Sequence, residues 1–403
     1  MAEPVSVVLV AVGGYGEAYL SSLLDGIGFE DVRLVGAVEP APERCSRLAE
    51  LRELGVPLYG RLEEFYEEHT ADLAVISSPI QFHCPQTCRA LQRGSNVLCE
   101  KPLGATFQEV GRMQRARDAA DRFVAIGYQW SFSDEIQRLK ADIRAGTFGR
   151  PKRLRTLVLW PRDEAYYGRN AWAGAVRDGG GRWVLDSPVN NATAHFLHNM
   201  FYCLGETWNV SARPERVMGE LYRANDIENY DTAALRCHTE NGVEILFYSS
   251  HGSRELLGPV FSYEFERGTV ALDGLNGQVV ARFGDGTERN YGTPDNGAGR
   301  KLTQCLEACR SGGTEIACPI EAAAAQTLCM NGLQDSAPGI IDFPGEMMRV
   351  EDAEPARRLW VAGLQEDLVR CYREAILPSE AGLSWAVAGR ELDLTGYSRY
   401  PGG

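Results

Sequence analysis

The sequence predicts two domains: an α/β domain with a parallel sheet, then an α+β domain with a large, mainly antiparallel open sheet. The chain has 403 residues, more than one ordinary domain holds. Its first part alternates short apolar runs with helical patterns, which is typical of a parallel sheet covered on both faces. Beyond residue 130 the strands are longer, and Gly or Asn-Gly turns join several of them, as in antiparallel hairpins.

The first domain is predicted to span residues 1–129. Its strands are expected at 5–12, 32–39, 73–78, 96–100 and 123–129, and helical patterns lie between them at 15–27, 42–54, 84–94 and 106–121. The strands are apolar without alternation, which indicates burial on both faces.

The second domain is predicted to span residues 130–403. It opens with a helix over 133–149 that ends at two glycines. Strands are expected at 153–160, 231–239, 242–250, 260–267, 268–274 and 277–285, and helices at 190–204 and 356–376. One face of this sheet needs a helical cover, which leaves the other face for a partner subunit.

Charge and composition narrow the class of protein. The formal net charge is −14, which disfavours nucleic acid and anionic lipid as partners. No run of about 18 apolar residues predicts a membrane span, and the first residues lack a signal-type basic region, so a cytoplasmic location is expected. The 11 cysteines show no zinc-ligand spacing, which predicts free thiols and no metal site.

A glycine-rich turn follows the first strand and opens the first helix. In the register of a dinucleotide-binding turn, Ala11 replaces the first glycine, while Gly14 follows Gly13 and precedes Tyr15 and Gly16. Such a turn lets the backbone approach a pyrophosphate, and the helix start offers free N–H groups. Glu39 ends the second strand, where a carboxylate binds ribose hydroxyls and repels a 2′-phosphate. The sequence therefore predicts a Rossmann domain that binds NAD rather than NADP.

Four stretches occur in the order found in one family: "AVGGYG", "VISSPIQFH", "VLCEKPLG" and "IRAGTFGRP". With them, the chain resembles the Gfo/Idh/MocA oxidoreductases, which include glucose–fructose oxidoreductase and inositol dehydrogenase. A fifth stretch, "AHFLHNMFYCLG", is similar to the family's second-domain helix. The resemblance covers residues 5–210 well and the later sheet loosely.

The resemblance implies that Lys101 lies beside the nicotinamide and the substrate. There its ammonium would stabilise the alkoxide that forms as a hydroxyl carbon loses hydride. Glu100 would lie near the cofactor. The residues expected to line the cofactor cleft are Ser78, Pro79, His83 and Gln129, although His83 is equally well explained as a structural histidine.

The second-domain helix departs from the family pattern. The register aligns the family's histidine with His195, which we expect to be the general base because an imidazole suits reversible proton transfer. The family's aspartate falls on Asn191, which binds a hydroxyl but takes no proton. Asp186 lies five residues upstream as a further candidate. The acid–base group therefore stays open between His195 alone and His195 with Asp186.

The segment 160–183 is rich in arginine and aromatic residues. Aromatic faces stack on the C–H groups of sugar rings, and side chains with paired hydrogen-bonding groups bind sugar hydroxyls. The substrate contacts predicted there are Arg162, Tyr167, Asn170 and Trp172, against the alternative of a polar surface loop with aromatic anchors.

These observations favour an NAD-dependent dehydrogenase acting on a sugar, polyol or sugar derivative. The alternative is an NAD-dependent redox glycosidase or epimerase, in which a sugar hydroxyl is oxidised only transiently. A non-catalytic NAD or sugar sensor is a third hypothesis, and Lys101 argues against it because a sensor needs no proton relay. The family implies a homodimer or homotetramer.

Overall fold

The computed structural model describes residues 4–27, 32–295, 297, 299–352 and 356–402. Contacts divide the chain into two compact units. Unit 1 comprises residues 1–104, 108–133 and 295–324, and unit 2 comprises residues 105–107, 134–294 and 325–403. The units are therefore not a simple division at residue 129, because a late segment of the chain folds with the first unit.

Unit 1 is built on a parallel sheet. In the described part of the chain its six strands are β1 (Val5–Val10), β2 (Val32–Val38), β3 (Leu58–Tyr59), β4 (Leu73–Ile76), β5 (Asn96–Cys99) and β6 (Val124–Ile126). Their order is β3-β2-β1-β4-β5-β6, and every pairing is parallel. The direction of strand order reverses between β1 and β4, the place where open parallel sheets bind ligands.

The helices follow the chain as α1 (Gly16–Ser21), α2 (Leu48–Glu53), α3 (Leu62–Glu68), α4 (Ile80–Gln92), α5 (Phe107–Ala120), α6 (Asp134–Arg144), α7 (Glu164–Gly168), α8 (Ala194–Cys203), α9 (Gly299–Ser311), α10 (Ile320–Ser336) and α11 (Leu364–Glu374). Helix α9 packs on β1, β4 and β5 in unit 1. The sequence analysis assigned residue 299 onward to the second domain. The apolar side chains of α9 that are buried in unit 1 explain the difference.

Unit 2 contains a large mixed sheet. Its strands among the described residues are β7 (Pro151–Leu159), β8 (Pro214–Arg223), β9 (Thr232–Thr239), β10 (Glu244–Ser250), β11 (Leu257–Phe265), β12 (Gly268–Asp273), β13 (Val279–Phe283), β14 (Glu288–Gly292), β15 (Ile340–Asp342) and β18 (Leu392–Asp393). The order is β14-β13-β12-β11-β7-β10-β9-β8-β15, with β18 beside β8. Most pairings are antiparallel, which confirms the predicted fold class, but β7 and β10 run parallel.

The two faces of this sheet are both used within unit 2. Alternate residues of a strand point to opposite faces. Helix α8 packs on the face that carries Tyr263, whose hydroxyl accepts a hydrogen bond from Asn199 at 3.1 Å. On the other face, Leu157 and Tyr248 belong to a core that the C-terminal segment completes with Phe343, Val361, Leu364, Leu368, Cys371, Ala375, Leu377 and Trp385. The sequence analysis left this face open, whereas the chain's own end covers part of it.

The predicted helix over 356–376 is shorter than expected. Its first part forms β17 (Arg358–Val361), which pairs with β16 (Met348–Glu351). Gly363 takes φ of 83°, a left-handed conformation that ends the strand before α11 begins. Among the described residues, no helix is both long and apolar enough to cross a membrane.

Candidate functional site

The turn between β1 and α1 combines an open position with a tightly packed one. Ala11 and Gly14 take φ of 66° and 60°, in the left-handed region that glycine adopts most readily. A Cβ on Gly14 would meet nothing within 4 Å, whereas a Cβ on Gly16 would lie 1.8 Å from the carbonyl oxygen of Ala11. Gly14 therefore leaves room for a pyrophosphate while Gly16 allows close packing, so these residues fit a dinucleotide.

Glu39 follows β2 directly and lies against this turn. Its two carboxylate oxygens accept hydrogen bonds from the backbone N–H groups of Gly13, at 3.3 Å, and Ala41, at 3.1 Å. The backbone thus holds the carboxylate at the end of β2 next to the glycine turn. That position is the one from which an acidic residue binds the ribose hydroxyls of NAD.

Ser78 and Pro79 follow β4 and lead into α4, where His83 lies in the first turn. The His83 ring is buried, and its two nitrogens lie 2.7 Å from the carbonyl oxygens of Ser78 and Pro102. Burial lowers the pKa of His83, although the two carbonyl oxygens act in the opposite direction. His83 therefore connects the ends of β4 and β5 and supports the turn that follows Lys101.

Glu100 occupies the end of β5 as a buried carboxylate. Its partner is Lys301 on α9, whose fully buried ammonium forms an ion pair with Oε1. The Tyr19 hydroxyl donates to the same oxygen at 2.5 Å. Lys301 also lies 3.2 Å from the Tyr15 hydroxyl and 3.3 Å from the carbonyl oxygen of Gly127. The structure therefore places the carboxylate of Glu100, predicted near the cofactor, inside a buried network.

The charge states in this network reinforce one another. Burial alone would raise the pKa of Glu100, but the Lys301 ammonium outweighs it and holds that pKa below its usual range. Burial likewise disfavours the charged form of Lys301, yet Glu100 raises the pKa of the ammonium. Both groups are therefore charged at neutral pH, and each depends on the other.

Lys101 is the second residue after β5, next to Glu100, and is half-buried. Its backbone N–H donates to Oε2 of Glu100 at 3.1 Å. The buried network therefore fixes the backbone from which the Lys101 side chain extends. Gln129 starts a short 3₁₀ helix, Gln129–Phe132, after the neighbouring strand β6, so it also stands at a strand end of unit 1.

In unit 2, two parallel strands carry polar residues at their carboxyl ends. Strands β7 and β10 are adjacent, with Leu159 opposite Ser250. The pairing continues beyond the strands, because the Arg162 N–H donates to the carbonyl oxygen of His251 at 3.1 Å. Parallel neighbours end at the same edge, so Arg162 and His251 are brought together there. Sequence analysis predicted Arg162 but not His251.

Three further residues of the segment after β7 surround this pair. The guanidinium carbons of Arg162 and Arg169 lie 4.7 and 3.6 Å from the ring centre of Tyr166. The Tyr167 hydroxyl lies 3.4 Å from Nδ1 of His251. We call these five residues, Arg162, Tyr166, Tyr167, Arg169 and His251, the β7–β10 cluster. Burial, with Arg162 and Arg169 nearby, lowers the pKa of His251 well below its usual value, so the cluster contains a neutral imidazole.

Asp186 is buried with its carboxylate already in use. It accepts hydrogen bonds from the Gly174 N–H at 2.7 Å and from the Asn191 amide at 2.8 Å, and Arg169 lies 3.8 Å away. The structure therefore joins Asp186 with Asn191, two of the sequence-predicted residues. Asn170 and Trp172 stand together, since the Asn170 side chain accepts from the Trp172 N–H at 3.1 Å.

His195 lies in the first turn of α8 and is half-buried. The next residue, Phe196, packs edge-to-face on Trp160 with ring centres 5.5 Å apart. The Thr193 hydroxyl is 3.0 Å from that of Ser249 at the end of β10. The start of α8 is thus fixed beside the ends of β7 and β10, which places His195 in the same region of unit 2 as the β7–β10 cluster.

Lys301 and His251 were not predicted from the sequence, and neither were Tyr166 and Arg169 of the β7–β10 cluster. Lys301 follows a polar segment and has no motif around it. The position of His251 directly after an apolar strand is a weak sequence signal for a functional residue. Its proximity to Arg162 could not be predicted, because it depends on β7 being the parallel neighbour of β10. Neither partner could be named without the sheet order and the position of α9.

No group of three or more histidine, cysteine, aspartate or glutamate side chains is arranged to hold a metal ion within the described ranges. All 11 cysteines lie in those ranges, and none of them forms a disulfide bond.

His198 provides a test of burial on α8. Its ring is buried and stacks on Tyr202 with centres 5.4 Å apart, and burial, with Lys140 nearby, lowers its pKa well below the usual value. His198 binds a proton near pH 6.5 in the unfolded chain but not in the folded chain. The free energy of unfolding is therefore highest above that pH and decreases as the pH falls below it. Between pH 6.5 and 5.5 we expect the wild type to lose about 1 kcal/mol relative to His198→Phe, with the loss approaching about 1.4 kcal/mol per pH unit at lower pH.

Urea unfolding of both proteins from pH 8 to 5.5 measures this difference. The phenylalanine keeps an aromatic ring beside Tyr202 and removes the titration. Parallel stability curves for the two proteins across this range would contradict the assignment of a neutral, buried His198.

Comparison with known families matches residues 5–128 to the model described as "Oxidoreductase family, NAD-binding Rossmann fold". The MocA rhizopine catabolism protein of Rhizobium meliloti is 31% identical over 144 residues, covering 35% of this chain and 43% of that protein. Inositol 2-dehydrogenase 4 of Saccharopolyspora erythraea is 34% identical over 119 residues, covering 29% and 35%. The chain therefore spans less than half the length of these curated relatives.

Solved structures extend the likeness over both units as far as the fold is concerned. The WlbA dehydrogenase of Bordetella pertussis, in complex with NADH and UDP-GlcNAcA, has a TM-score of 0.69 at 20% identity, covering 83% of this chain and 97% of that one. An inositol dehydrogenase homologue of Azotobacter vinelandii, with NADH and myo-inositol, has a TM-score of 0.64 at 17% identity, covering 83% and 96%.

Proposed function

Since residues 5–128 match the Gfo/Idh/MocA family model of NAD-binding oxidoreductases, we propose that this protein is an NAD-dependent oxidoreductase acting on a sugar, polyol or sugar derivative. It would transfer hydride between the cofactor and a hydroxyl-bearing carbon. The observation that carries the proposal is the placement of Lys101. It follows β5 at the binding edge of the sheet, with its backbone held by the buried pair of Glu100 and Lys301.

The proposed chemistry assigns one task to each group. NAD, when bound, accepts the hydride. The Lys101 ammonium donates a hydrogen bond to the substrate hydroxyl oxygen and stabilises the negative charge that develops there. His195 takes the hydroxyl proton, since imidazole accepts and returns protons near neutral pH. The carboxylate of Asp186 is bound by Gly174 and Asn191, which favours a positioning part for it.

Relatives and structural neighbours support the substrate class. Their names and complexes include inositol dehydrogenases, myo-inositol and a UDP-sugar. The proposed sugar contacts of this chain are Arg162, Tyr167, Asn170, Trp172, Asn191 and His195. The proposed cofactor contacts are Gly13, Gly14, Tyr15, Gly16, Glu39, Ser78, Pro79 and Gln129.

The test is to incubate the protein with NAD and a panel of sugars and polyols at neutral pH and to measure NADH formation by its absorbance. Steady NADH production with one compound class is expected. Glycoside cleavage without net NADH, with solvent deuterium entering the sugar, would instead support the redox glycosidase or epimerase. A purified protein that binds neither NAD nor NADP would contradict the proposal as a whole.

Glu39 allows a separate test of the cofactor. Replacing it with alanine removes a carboxylate that binds ribose hydroxyls and repels a 2′-phosphate, so we expect NAD affinity to fall and the preference for NAD over NADP to shrink by about 10- to 100-fold. Titration of intrinsic fluorescence with each cofactor measures the ratio. Glu43→Ala removes a nearby exposed carboxylate as the matched control, and an unchanged ratio in Glu39→Ala would contradict the NAD assignment.

A cytoplasmic location and a homodimer or homotetramer remain proposals. The 11 cysteines, none of which is in a disulfide bond, support a reducing compartment. The C-terminal segment covers part of the sheet face that was predicted to meet a partner subunit. A dimer through that face would therefore use the strands that the C-terminal segment does not cover. Light scattering on the purified chain measures the oligomeric state.

A further inference from the structure

The β7–β10 cluster contains two arginines, and only one of them has a carboxylate partner. No carboxylate of the described residues lies within ion-pair distance of Arg162, whereas Arg169 has Asp186 at 3.8 Å. The Nε atom of Arg162 is buried and has no hydrogen-bond partner in the described part of the chain. A buried guanidinium donor without an acceptor is costly unless a ligand supplies one.

His251 provides a second, independent observation. The residue is 2% exposed, and its Nε2 atom has no hydrogen-bond partner among the residues described. Burial and the two arginines keep the imidazole neutral, so it carries one N–H and presents one nitrogen beyond the contact with Tyr167. The backbone link from Arg162 to His251, at 3.1 Å, keeps the two residues adjacent, and both side chains lie against the ring of Tyr166.

The aromatic residues of the cluster fix the direction of the arginines. Arg162 lies over Trp160 and Tyr166, with ring centres 5.8 and 4.7 Å from its guanidinium carbon. Stacking restrains a guanidinium plane and leaves its edge to donate hydrogen bonds. Nη1 of Arg162 donates one to the carbonyl oxygen of Pro161 at 3.3 Å, and Nε is the donor left for a ligand. A carboxylate or a phosphate suits this donor better than a neutral hydroxyl does, because its negative charge strengthens the hydrogen bond.

We propose that the substrate of this protein is an anionic sugar or polyol, whose carboxylate or phosphate group binds Arg162 and His251 at the carboxyl ends of β7 and β10. The inference rests on the proposed function, since it names the substrate class for that activity. It adds a charge requirement that the dehydrogenase assignment does not contain.

The experiment compares each neutral sugar with its own acid. Glucose, galactose and mannose are each assayed with NAD beside the corresponding uronate and 6-phosphate. We expect an acid to exceed its neutral sugar in kcat/KM by about 10- to 100-fold, the range of a charge-assisted pair. Turnover of uronates identifies a carboxylate as the recognised group, and turnover of 6-phosphates identifies a phosphate.

Arg162→Gln tests the residue. The ratio of kcat/KM for acid over neutral sugar is expected to collapse in this variant and to recover partly in Arg162→Lys, which keeps the charge but not the fork. Arg150→Gln is the control: it makes the same change of charge at an arginine that is 88% exposed and paired with Glu266, and the ratio should stay at the wild-type value.

Two results overturn the inference. One is a wild-type enzyme that turns over the neutral sugars as well as the acids, and the other is a ratio that Arg162→Gln leaves unchanged. If no compound yields NADH, the proposed function fails, and calorimetric titration of the same pairs into the NAD-loaded protein decides the inference separately. Equal binding of acids and neutral sugars then overturns it.

Discussion

Replacing Lys101 with methionine is expected to lower kcat by about 10²- to 10⁴-fold, the range that positioned proton-transfer and oxyanion-stabilising groups contribute. Methionine keeps the length and apolar stem of the side chain and removes the ammonium. The developing alkoxide then has no cation beside it. Steady-state kinetics with the best substrate of the panel measures the loss, and fluorescence titration checks that NAD still binds.

The chain contains four lysines, and one that lies outside the candidate site offers a matched control. Lys152 is exposed on β7, and Lys152→Met makes the same chemical change outside the candidate site. Its kcat should equal that of the wild type. A Lys101→Met enzyme with near wild-type kcat would remove Lys101 from the mechanism, whatever the fate of the substrate assignment.

Replacing Lys301 with methionine is expected to cost about 3–5 kcal/mol of unfolding free energy, because it leaves the Glu100 carboxylate buried without its counter-charge. The Lys301 side chain is fully buried, and that of Glu100 is 8% exposed. Urea unfolding measures the change. Since Oε2 of Glu100 accepts the Lys101 N–H, we expect kcat to fall as well, beyond what the loss of folded protein explains.

The double variant Glu100→Gln with Lys301→Met separates charge from shape. It removes both charges and keeps an oxygen for the Tyr19 hydroxyl, so it should recover much of the stability lost in the single variant. Arg150→Met, which breaks an exposed pair with Glu266, should leave stability nearly unchanged. Equal losses in the double and single variants would show that the pair is not coupled.

The elements that surround the proposed cofactor contacts were predictable because the rules that form them are local in sequence. An apolar strand, a glycine turn and a helix follow one another within a few residues around Gly13 to Gly16. The strand that leads to Lys101 is continuous and apolar for the same reason, since a parallel strand is buried on both faces. Strand ends of a parallel sheet share one edge, so Glu39, Ser78 and Lys101 could be assigned to that edge without coordinates.

The C-terminal half shows where this reasoning stops. The helical pattern over 356–376 contains β17, because Gly363 and pairing with β16 override the local preference. Strand β8 was not recognised, and its place between β9 and β15 follows only from pairing. The cover of one sheet face by the segment around α11 likewise depends on packing between elements some 200 positions apart, which brings Leu157 and Leu368 into one core.

The fold class, the glycine turn, the acidic end of β2 and the position of Lys101 after β5 can all be predicted from the amino-acid sequence. The pairing of Glu100 with Lys301, 201 residues away, and the meeting of Arg162 with His251 where two parallel strands end follow from the three-dimensional arrangement. Local backbone conformation and burial depend on the types of neighbouring residues. The partner of a buried charge is chosen by sheet order and helix packing, which bring together side chains that no sequence spacing relates.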